Sequence, residues 1–529
     1  ANLSISPSVH YQHGKTGNRD TYWDLDPGFV TRDKFRTPQD TEFVLANLKI
    51  QYDFDSFTVA SITSYTDRKT NLTNDWTETD ADALGYDFSA DPSWMGVMPW
   101  DVSSDAVTQE FRFSSINKGQ KLTWQGGLFY QKNKYNLERW EYQNLDGWLG
   151  TIFGVDAATA RAIGAVEIIL GVPYLTGPLS GTGIYNDVTY YQHVERIEKE
   201  LAGFVNVDYQ LTDKLSVGAG GRFAKTEFDN TDTQAGPWIG PLGTVNGKAK
   251  ESPIIGKFNV DYHITDDSMV YFTWAQGYRL GGANQDFSSN ALCVADLAAQ
   301  GGKNPLTYKS DKLDSFELGT KNTFLGNRIF LTASVYRINW TDIQRQVGLP
   351  TCLNYYTDNL GQAEVTGIDL DFEMKLNEYF RLSMAWGYNN GEYSKDTVIG
   401  GNTYALKGQD FEQPKIVGNT SLYYNGTFNN YDTYATLSVD YNGPYKRGVP
   451  AGVVGYTVNQ LAIRDAESVT VANFRAGIGF GNWSAGVFIE NLLDSHDTVG
   501  QFLTAAGRTN VTSRGLRPRV VGLSLDYQY

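Results

Sequence analysis

The sequence predicts an all-β fold, a transmembrane antiparallel β-barrel, and three observations carry that expectation. Apolar and polar residues alternate with period two through most of the chain, as in a strand with one greasy and one wet face. The connections between these segments are short and long by turns. The composition suits walls that meet lipid on one side and water on the other: of 529 residues 14% are aromatic, with 33 Tyr, 27 Phe and 12 Trp, beside 54 Gly.

About 18 alternating segments follow one another, near 2–13, 40–54, 56–70, 104–116, 120–135, 190–210, 213–230, 250–265, 267–280, 308–323, 327–345, 362–375, 379–393, 412–427, 430–445, 469–480, 482–495 and 515–529. The last is the clearest: Val521, Leu523, Leu525, Tyr527 and Tyr529 alternate with Gly522, Ser524, Asp526 and Gln528. Leu215, Val217, Ala219 and Phe223 do the same against Ser216, Gly218, Gly220 and Arg222. Short links such as Phe54-Asp55, Thr212-Asp213, Gly326-Asn327 and Gly481-Asn482 carry hairpin residues. Long links run near 14–39, 71–103, 136–189, 231–249, 281–307, 346–361, 394–411, 446–468 and 496–514. Short turns on one side and long loops on the other are the asymmetry of an outer-membrane barrel, and the odd–even order puts both chain ends on the short-turn side. Strands longer than the 9–11 residues that cross a bilayer are expected to rise above it. Trp124, Tyr130, Trp483, Tyr527 and Tyr529 suit interfacial girdles. A propeller or β-helix would also show many strands, but no repeat of 40–50 residues is present.

Other classes are excluded by composition. Mean hydropathy is −0.38 and no apolar run approaches the roughly 18 residues of a spanning helix. The aromatic content argues against disorder. Two cysteines cannot make a disulfide scaffold or a multi-cysteine metal site. With 44 basic and 60 acidic residues the formal net charge is −16, which opposes nucleic-acid binding. Ala1-Asn-Leu-Ser-Ile-Ser has neither the basic nor the apolar region of a signal peptide, so a leader or more is expected upstream.

Several motifs then occur in order across residues 269–529: Tyr271-Phe-Thr-Trp-Ala-Gln-Gly-Tyr-Arg-Leu-Gly-Gly282, Phe316-Glu-Leu-Gly-Thr-Lys321, Tyr336-Arg-Ile-Asn-Trp-Thr-Asp-Ile-Gln344, Asn359-Leu-Gly-Gln-Ala-Glu-Val-Thr-Gly-Ile-Asp369, Glu490-Asn-Leu-Leu-Asp494 and the terminal Arg517-Pro-Arg-Val-Val-Gly-Leu-Ser-Leu-Asp-Tyr-Gln-Tyr529. Together they resemble the barrel of TonB-dependent outer-membrane receptors. The resemblance implies a 22-stranded barrel in a Gram-negative outer membrane, filled by an N-terminal plug and driven by the TonB complex. Only about 18 strands are visible, so the plug, the TonB box and the first strands are expected to lie outside residues 1–529. It also implies active uptake of a scarce solute: an iron chelate, a cofactor, an oligosaccharide or an aromatic compound. The alternative is a passive, substrate-specific porin without a plug; a surface-scaffold barrel is a third class.

Transport of this kind needs recognition outside and a polar lumen. Glu110, Arg112, Arg222, Glu317, Lys321, Asp369, Asp371, Arg475 and Glu490 are the charged partners in the alternating strands, expected to face the lumen or plug. Ligand contacts are expected in the loops, from Trp76, Tyr86, Trp94 and Trp100 in 71–103 and from Trp140, Trp148 and Tyr174 in 136–189. The first loop is also rich in Asp and Glu, which tilts the ligand toward a neutral or cationic one. The second contains Ala157–Leu170, read as one short amphipathic helix that folds over the mouth. Cys293 and Cys352 fall in loops leaving the same side, where an oxidising exterior favours a disulfide between them. Lipid and lipopolysaccharide are the expected surroundings. Five scattered histidines join no metal-ligand spacing or nucleophile elbow, so neither an enzyme, a metal site nor a cofactor is expected.

Overall fold

The computed structural model describes residues 2–18, 22–23, 33–77, 80–81, 94–116, 119–180, 187–287, 291–349, 354–447, 465–503 and 511–528. Nearly all of its regular structure lies in one antiparallel sheet. Its first strands are β1 (Leu3–Thr16), β2 (Gln39–Asp53), β3 (Phe57–Asp75), β4 (Gly96–Ser115), β5 (Leu122–Gln143), β6 (Val188–Gln210) and β7 (Leu215–Gly236). Next come β8 (Gly240–Glu251), β9 (Ile254–Thr265), β10 (Ser268–Arg279), β11 (Asp311–Phe324), β12 (Ile329–Thr341) and β13 (Gln362–Lys375). The sheet ends with β14 (Phe380–Tyr393), β15 (Ile416–Phe428), β16 (Tyr431–Asn442), β17 (Val469–Phe480), β18 (Trp483–Glu490) and β19 (Val520–Tyr527).

Each strand pairs with its sequence neighbour. The exception is instructive. β9 pairs the lower half of β7, from Leu215 to Phe223, while β8 pairs the upper half, from Thr226 to Gly236. They are two lengths of one wall position, which gives eighteen positions in all. The span 231–249, expected as a long loop, is thus the top of a β-hairpin, closed by a turn between β7 and β8.

The register assigns faces. Around the wall, Ile5, Leu48, Phe111, Leu128, Leu201, Phe223, Leu318 and Leu523 fall on one face, and Leu128, Leu201 and Phe223 are 59%, 56% and 57% exposed. That much bare apolar surface in a continuous band is a lipid-facing belt. At its short-turn edge the aromatics cluster: Phe54 stacks on Phe57 at 4.6 Å, and Trp483 leans on Tyr527 at 4.8 Å, as an interfacial girdle requires. No described helix is long and apolar enough to cross a membrane.

The wall is lopsided. β3 to β7 have 19–23 residues whereas β9 to β19 have 8–14, and at about 3.3 Å per residue the first group stands far above the belt. Packed against this tall part are three short helices, α1 (Asp146–Phe153), α2 (Ala157–Ala162) and α3 (Ala165–Leu170). The single helix expected over Ala157–Leu170 is broken at Gly164, which takes a left-handed φ of +71° that a residue with a Cβ disfavours. Asp156 caps α2 by accepting the Thr159 N–H at 2.7 Å. Trp94, Leu145, Leu149, Ala160 and Val166 form the core of this unit.

Candidate ligand-binding site at the outer mouth

The charged residues singled out in the strands all share the face opposite the belt. Glu110 and Arg112 form an ion pair at 2.6 Å. Arg222 bonds Glu200 and lies 5.0 Å over the Phe129 ring. Tyr271 donates to Glu317 at 2.5 Å, while the Lys321 ammonium sits 5.5 Å over the Tyr271 ring. Asp369 and Asp371 lie on β13 beside Glu373, which pairs with Arg381 at 2.9 Å. Arg475 lies over Phe488 at 5.8 Å, and Glu490 faces Arg517 at 3.6 Å. This face is a wet, partly neutralised wall.

The motifs that carry the resemblance to TonB-dependent receptors have architectural roles. Asp311, almost fully buried, accepts from the Arg279 backbone at 3.0 Å, from Arg279 Nε at 2.8 Å and from Trp340 Nε1 at 3.0 Å. Asn359 clamps Lys309 and Asp342 through its amide. Asn491 ties Ser495 and Arg517 across the top of β18. In Phe316-Glu-Leu-Gly-Thr-Lys, a Cβ on Gly319 would stand 2.4 Å from the Tyr271 ring, so only glycine lets that ring lie on the strand.

The tall part of the wall assembles a different group. Trp100 on β4 stands directly opposite Arg139 on β5, and Arg139 opposite Gln192 on β6. All three project from the inner face. The Arg139 guanidinium lies 5.3 Å from the Trp100 ring and 5.1 Å from the Tyr190 ring, and its Nη2 donates to the Tyr190 hydroxyl at 3.1 Å. Arg139 Nε and Trp100 Nε1 are shielded from solvent and have no protein acceptor among the described residues. Alongside, buried Asp232 gathers Gln192 at 2.9 Å, Gln234 at 3.2 Å, and Gln285 from the loop after β10. The more open guanidinium N–H groups of Arg139, set beside two aromatic rings on the inner face, can receive the oxygens of an anionic ligand.

Behind Arg139, Glu141 is buried, with Asp80 within hydrogen-bond reach. Burial pushes the Glu141 carboxyl up to about 7, against the opposing pull of Asp80 and Arg139. Gln143, next on this face, accepts from Trp238 Nε1 at 3.0 Å.

The loop aromatics named from the sequence do not converge. Trp100 reaches the inner rim. Trp140 points the other way and packs on Tyr191 at 4.1 Å. Trp94 is wholly buried, donating to the Thr77 carbonyl at 3.0 Å, which leaves it no face for a ligand in this conformation. Trp76 sits at the wall top, its carbonyl accepting the Asp80 N–H. Trp148 lies 6.4 Å from Trp238 at the edge of the helical core. Tyr174 is used internally: its hydroxyl accepts the Leu145 N–H at 2.9 Å and lies under Arg161. Tyr86 and Cys352 lie outside the described residues; Cys293 is disulfide-bonded. Arg139, Tyr190, Gln192 and Asp232 were missed, although their shared parity on strands extended to residues 143 and 188 would have grouped them.

An eighteen-position sheet with a lipid belt, a charged inner face and a mouth lined by Arg and aromatics defines an outer-membrane receptor barrel. The chain belongs to the "TonB dependent receptor-like, beta-barrel" family, whose model matches residues 7–492; this is a family of receptors rather than enzymes. It is 27% identical over 208 residues to the pesticin receptor of Yersinia enterocolitica, covering 38% of this chain and 27% of that protein. To the catecholate siderophore receptor Fiu of Escherichia coli it is 27% identical over 152 residues, covering 26% and 19%. The matched stretches thus span about a quarter of the curated relatives' length. The fold superposes on the ferric yersiniabactin uptake receptor FyuA of Yersinia pestis with a TM-score of 0.72 at 15% identity, covering 99% of this chain and 68% of that one.

Proposed function

We propose that this barrel belongs to a receptor for TonB-coupled uptake of an iron chelate across the outer membrane. The observation that carries the reading is the Arg139 guanidinium, held between Trp100 and Tyr190 on the inner rim, in a chain whose relatives are named as siderophore receptors. Part of the acidic charge of the two loops is engaged within the protein. Asp75 is buried and accepts the backbone N–H groups of Lys34 and Thr77, and Asp146 and Asp187 both pair with Arg161. The charge of these three carboxylates is neutralised or turned inward, and Arg139 projects from the inner face.

In this reading the inner-face charges, from Glu110 and Arg112 round to Arg475 and Glu490, hydrogen-bond a plug, and plug and TonB box belong to polypeptide outside these residues. The partner proposed for the disulfide-bonded Cys293 of α4 (Ala291–Ala299) is Cys352, the other cysteine of the sequence. No covalent chemistry is required. The test is uptake of radiolabelled ferric chelates by cells carrying the complete receptor as their only route. Uptake that needs the proton-motive force and falls at least tenfold in Arg139→Ala supports the reading. Uptake that survives collapse of that force favours a passive porin and overturns it.

A further inference from the structure

We infer that the lipid-facing side of β3 and β4 is an interface between two copies of this receptor, docked about a two-fold axis along the membrane normal. The register sets Thr63 of β3 opposite Gln109 of β4, and Ser61 opposite Phe111, so these three polar side chains stand among the apolar ones of the belt. A strand crosses the hydrocarbon in about 9–11 residues. Thr63 and Gln109 each lie six residues from the short-turn ends of their strands, Phe57 and Ser115. That places them near the midplane, out of reach of lipid headgroups. Other outward carboxamides lie nearer the water. Asn322 is two residues from the short-turn end of β11, Gln276 eight from that of β10, and Asn339 and Asn390 ten from those of β12 and β14.

The hydrogen bonds within the group leave one donor and one acceptor unused. Thr63 donates to Gln109 Oε1 at 2.6 Å, and Gln109 Nε2 donates to Ser61 Oγ at 3.1 Å and to the Glu110 carbonyl at 3.3 Å. Both amide protons are thereby engaged, while Oε1 keeps its second lone pair. The Ser61 hydroxyl accepts one bond and donates none among the described residues. An unsatisfied polar group in hydrocarbon is costly, and an acyl chain offers neither a donor nor an acceptor. A second copy offers both. Rotation about the membrane normal preserves height, and Ser61 Oγ lies within 3.1 Å of the Gln109 amide, so the donor of each copy is level with the acceptor of the other. Two Ser61-to-Gln109 bonds then form, related by the axis, as an isologous contact requires. Hydroxyl and carboxamide side chains join membrane segments in this way. Leu48, Ile50, Tyr65, Val107, Phe111 and Phe113 are exposed on the same face and surround the polar group with apolar surface. The inference goes beyond the uptake reading and does not depend on what the mouth binds.

The test places a photo-activatable side chain at Val107, beside the polar group, or at Leu318 on the belt of β11, in the complete receptor in intact cells. Irradiation is expected to join position 107 to a second copy, identified by mass spectrometry of the product, with little such product from position 318. In vesicles of phosphatidylethanolamine and phosphatidylglycerol, energy transfer between singly labelled receptors then reads the dimer. S61A/Q109L is expected to raise the dissociation constant at least about tenfold, because both symmetric bonds are lost together. S61T keeps the hydroxyl and should stay near the parent, and the heat-modifiable band on SDS gels shows that each variant is folded. Cross-linking from position 107 to lipid alone or to a different protein overturns the inference. So does equal joining of copies from position 318, which would report crowding, or a folded S61A/Q109L that dimerises as the parent does.

Discussion

Replacing Glu141 by Gln should remove a pH dependence built into the mouth. Glu141 is buried beside Asp80, and its carboxyl rises from the ordinary 4.5 to about 7 because burial penalises the charged form. The native state therefore keeps a proton that the unfolded chain releases. By linkage the associated stability is complete below pH 4.5 and is lost as pH climbs to about 7. A gap of that size corresponds to about 3 kcal/mol at 1.36 kcal/mol per pH unit. With an unfolding entropy of roughly 2.1 cal/mol/K per residue, a chain of 529 residues should lose about 3 °C of Tm over that interval from this group alone.

Glu141→Gln mimics the protonated acid, so it should match the parent near pH 4.5 and exceed it by about 3 °C at pH 8. Differential scanning calorimetry of both proteins in one detergent reads the difference. Hydrogen exchange locates it: amides around Glu141 and Thr189, which adjoin this pair, should exchange faster in the parent at pH 8 than in the variant. Parallel Tm–pH profiles would refute the argument, since they would mean that Glu141 is charged or solvated in the folded barrel.

Three further outcomes follow from the same geometry. Arg139→Ala should weaken chelate binding by 10- to 100-fold, the value of about 1.5–3 kcal/mol for a charged hydrogen bond, while Arg139→Lys recovers part of it; fluorescence titration of the complete receptor reads both. Reduction should add two hydrogens to the intact mass if Cys293 and Cys352 are bridged, and Cys293→Ser should lower stability by up to about 4 kcal/mol, the entropy of a closed loop of roughly 60 residues, seen as faster proteolysis between residues 281 and 361. Gly319→Leu should abolish the folded, heat-modifiable species on SDS gels because the side chain would enter the Tyr271 ring, whereas Gly203→Ala, whose nearest neighbours stand 3.8 Å away, should leave it intact.

The lipid belt was legible because lipid on one side and water on the other impose period two, and Val521 to Tyr527 or Leu215 to Phe223 show it without a break. Above the belt both faces are wet and that constraint lapses. In Tyr135-Asn-Leu-Glu-Arg-Trp-Glu-Tyr142 neither parity is apolar, yet β5 continues through it on backbone hydrogen bonds to β4 and β6. The alternation therefore stops before the strand does, and Arg139 reads as a loop residue although it stands on the inner rim. The inner charges were easier, since a charged residue between two lipid-facing ones has one direction left to point. Loop aromatics carry no such constraint. Trp94 and Tyr174 are as compatible with a small core as with a ligand, and only the packing of α1–α3 decides between them.

The two ends of the sheet give the last consequence. Among the described residues β1 is paired only to β2 and β19 only to β18, and Val521, Leu523 and Leu525 are 65–82% exposed. A free strand edge in hydrocarbon leaves N–H and C=O groups that nothing can satisfy, at several kcal/mol each. Over the eight residues of β19 about half of those groups face outward, so an open edge would cost on the order of tens of kcal/mol. The membrane form must therefore pair both edges, with each other or with further strands. In the complete receptor in bilayer nanodiscs, all amides of Val520–Tyr527 should exchange as slowly as those of Trp483–Glu490. If every second amide of β19 exchanges within seconds, the edge is open to water, and the belt on that side does not lie in lipid.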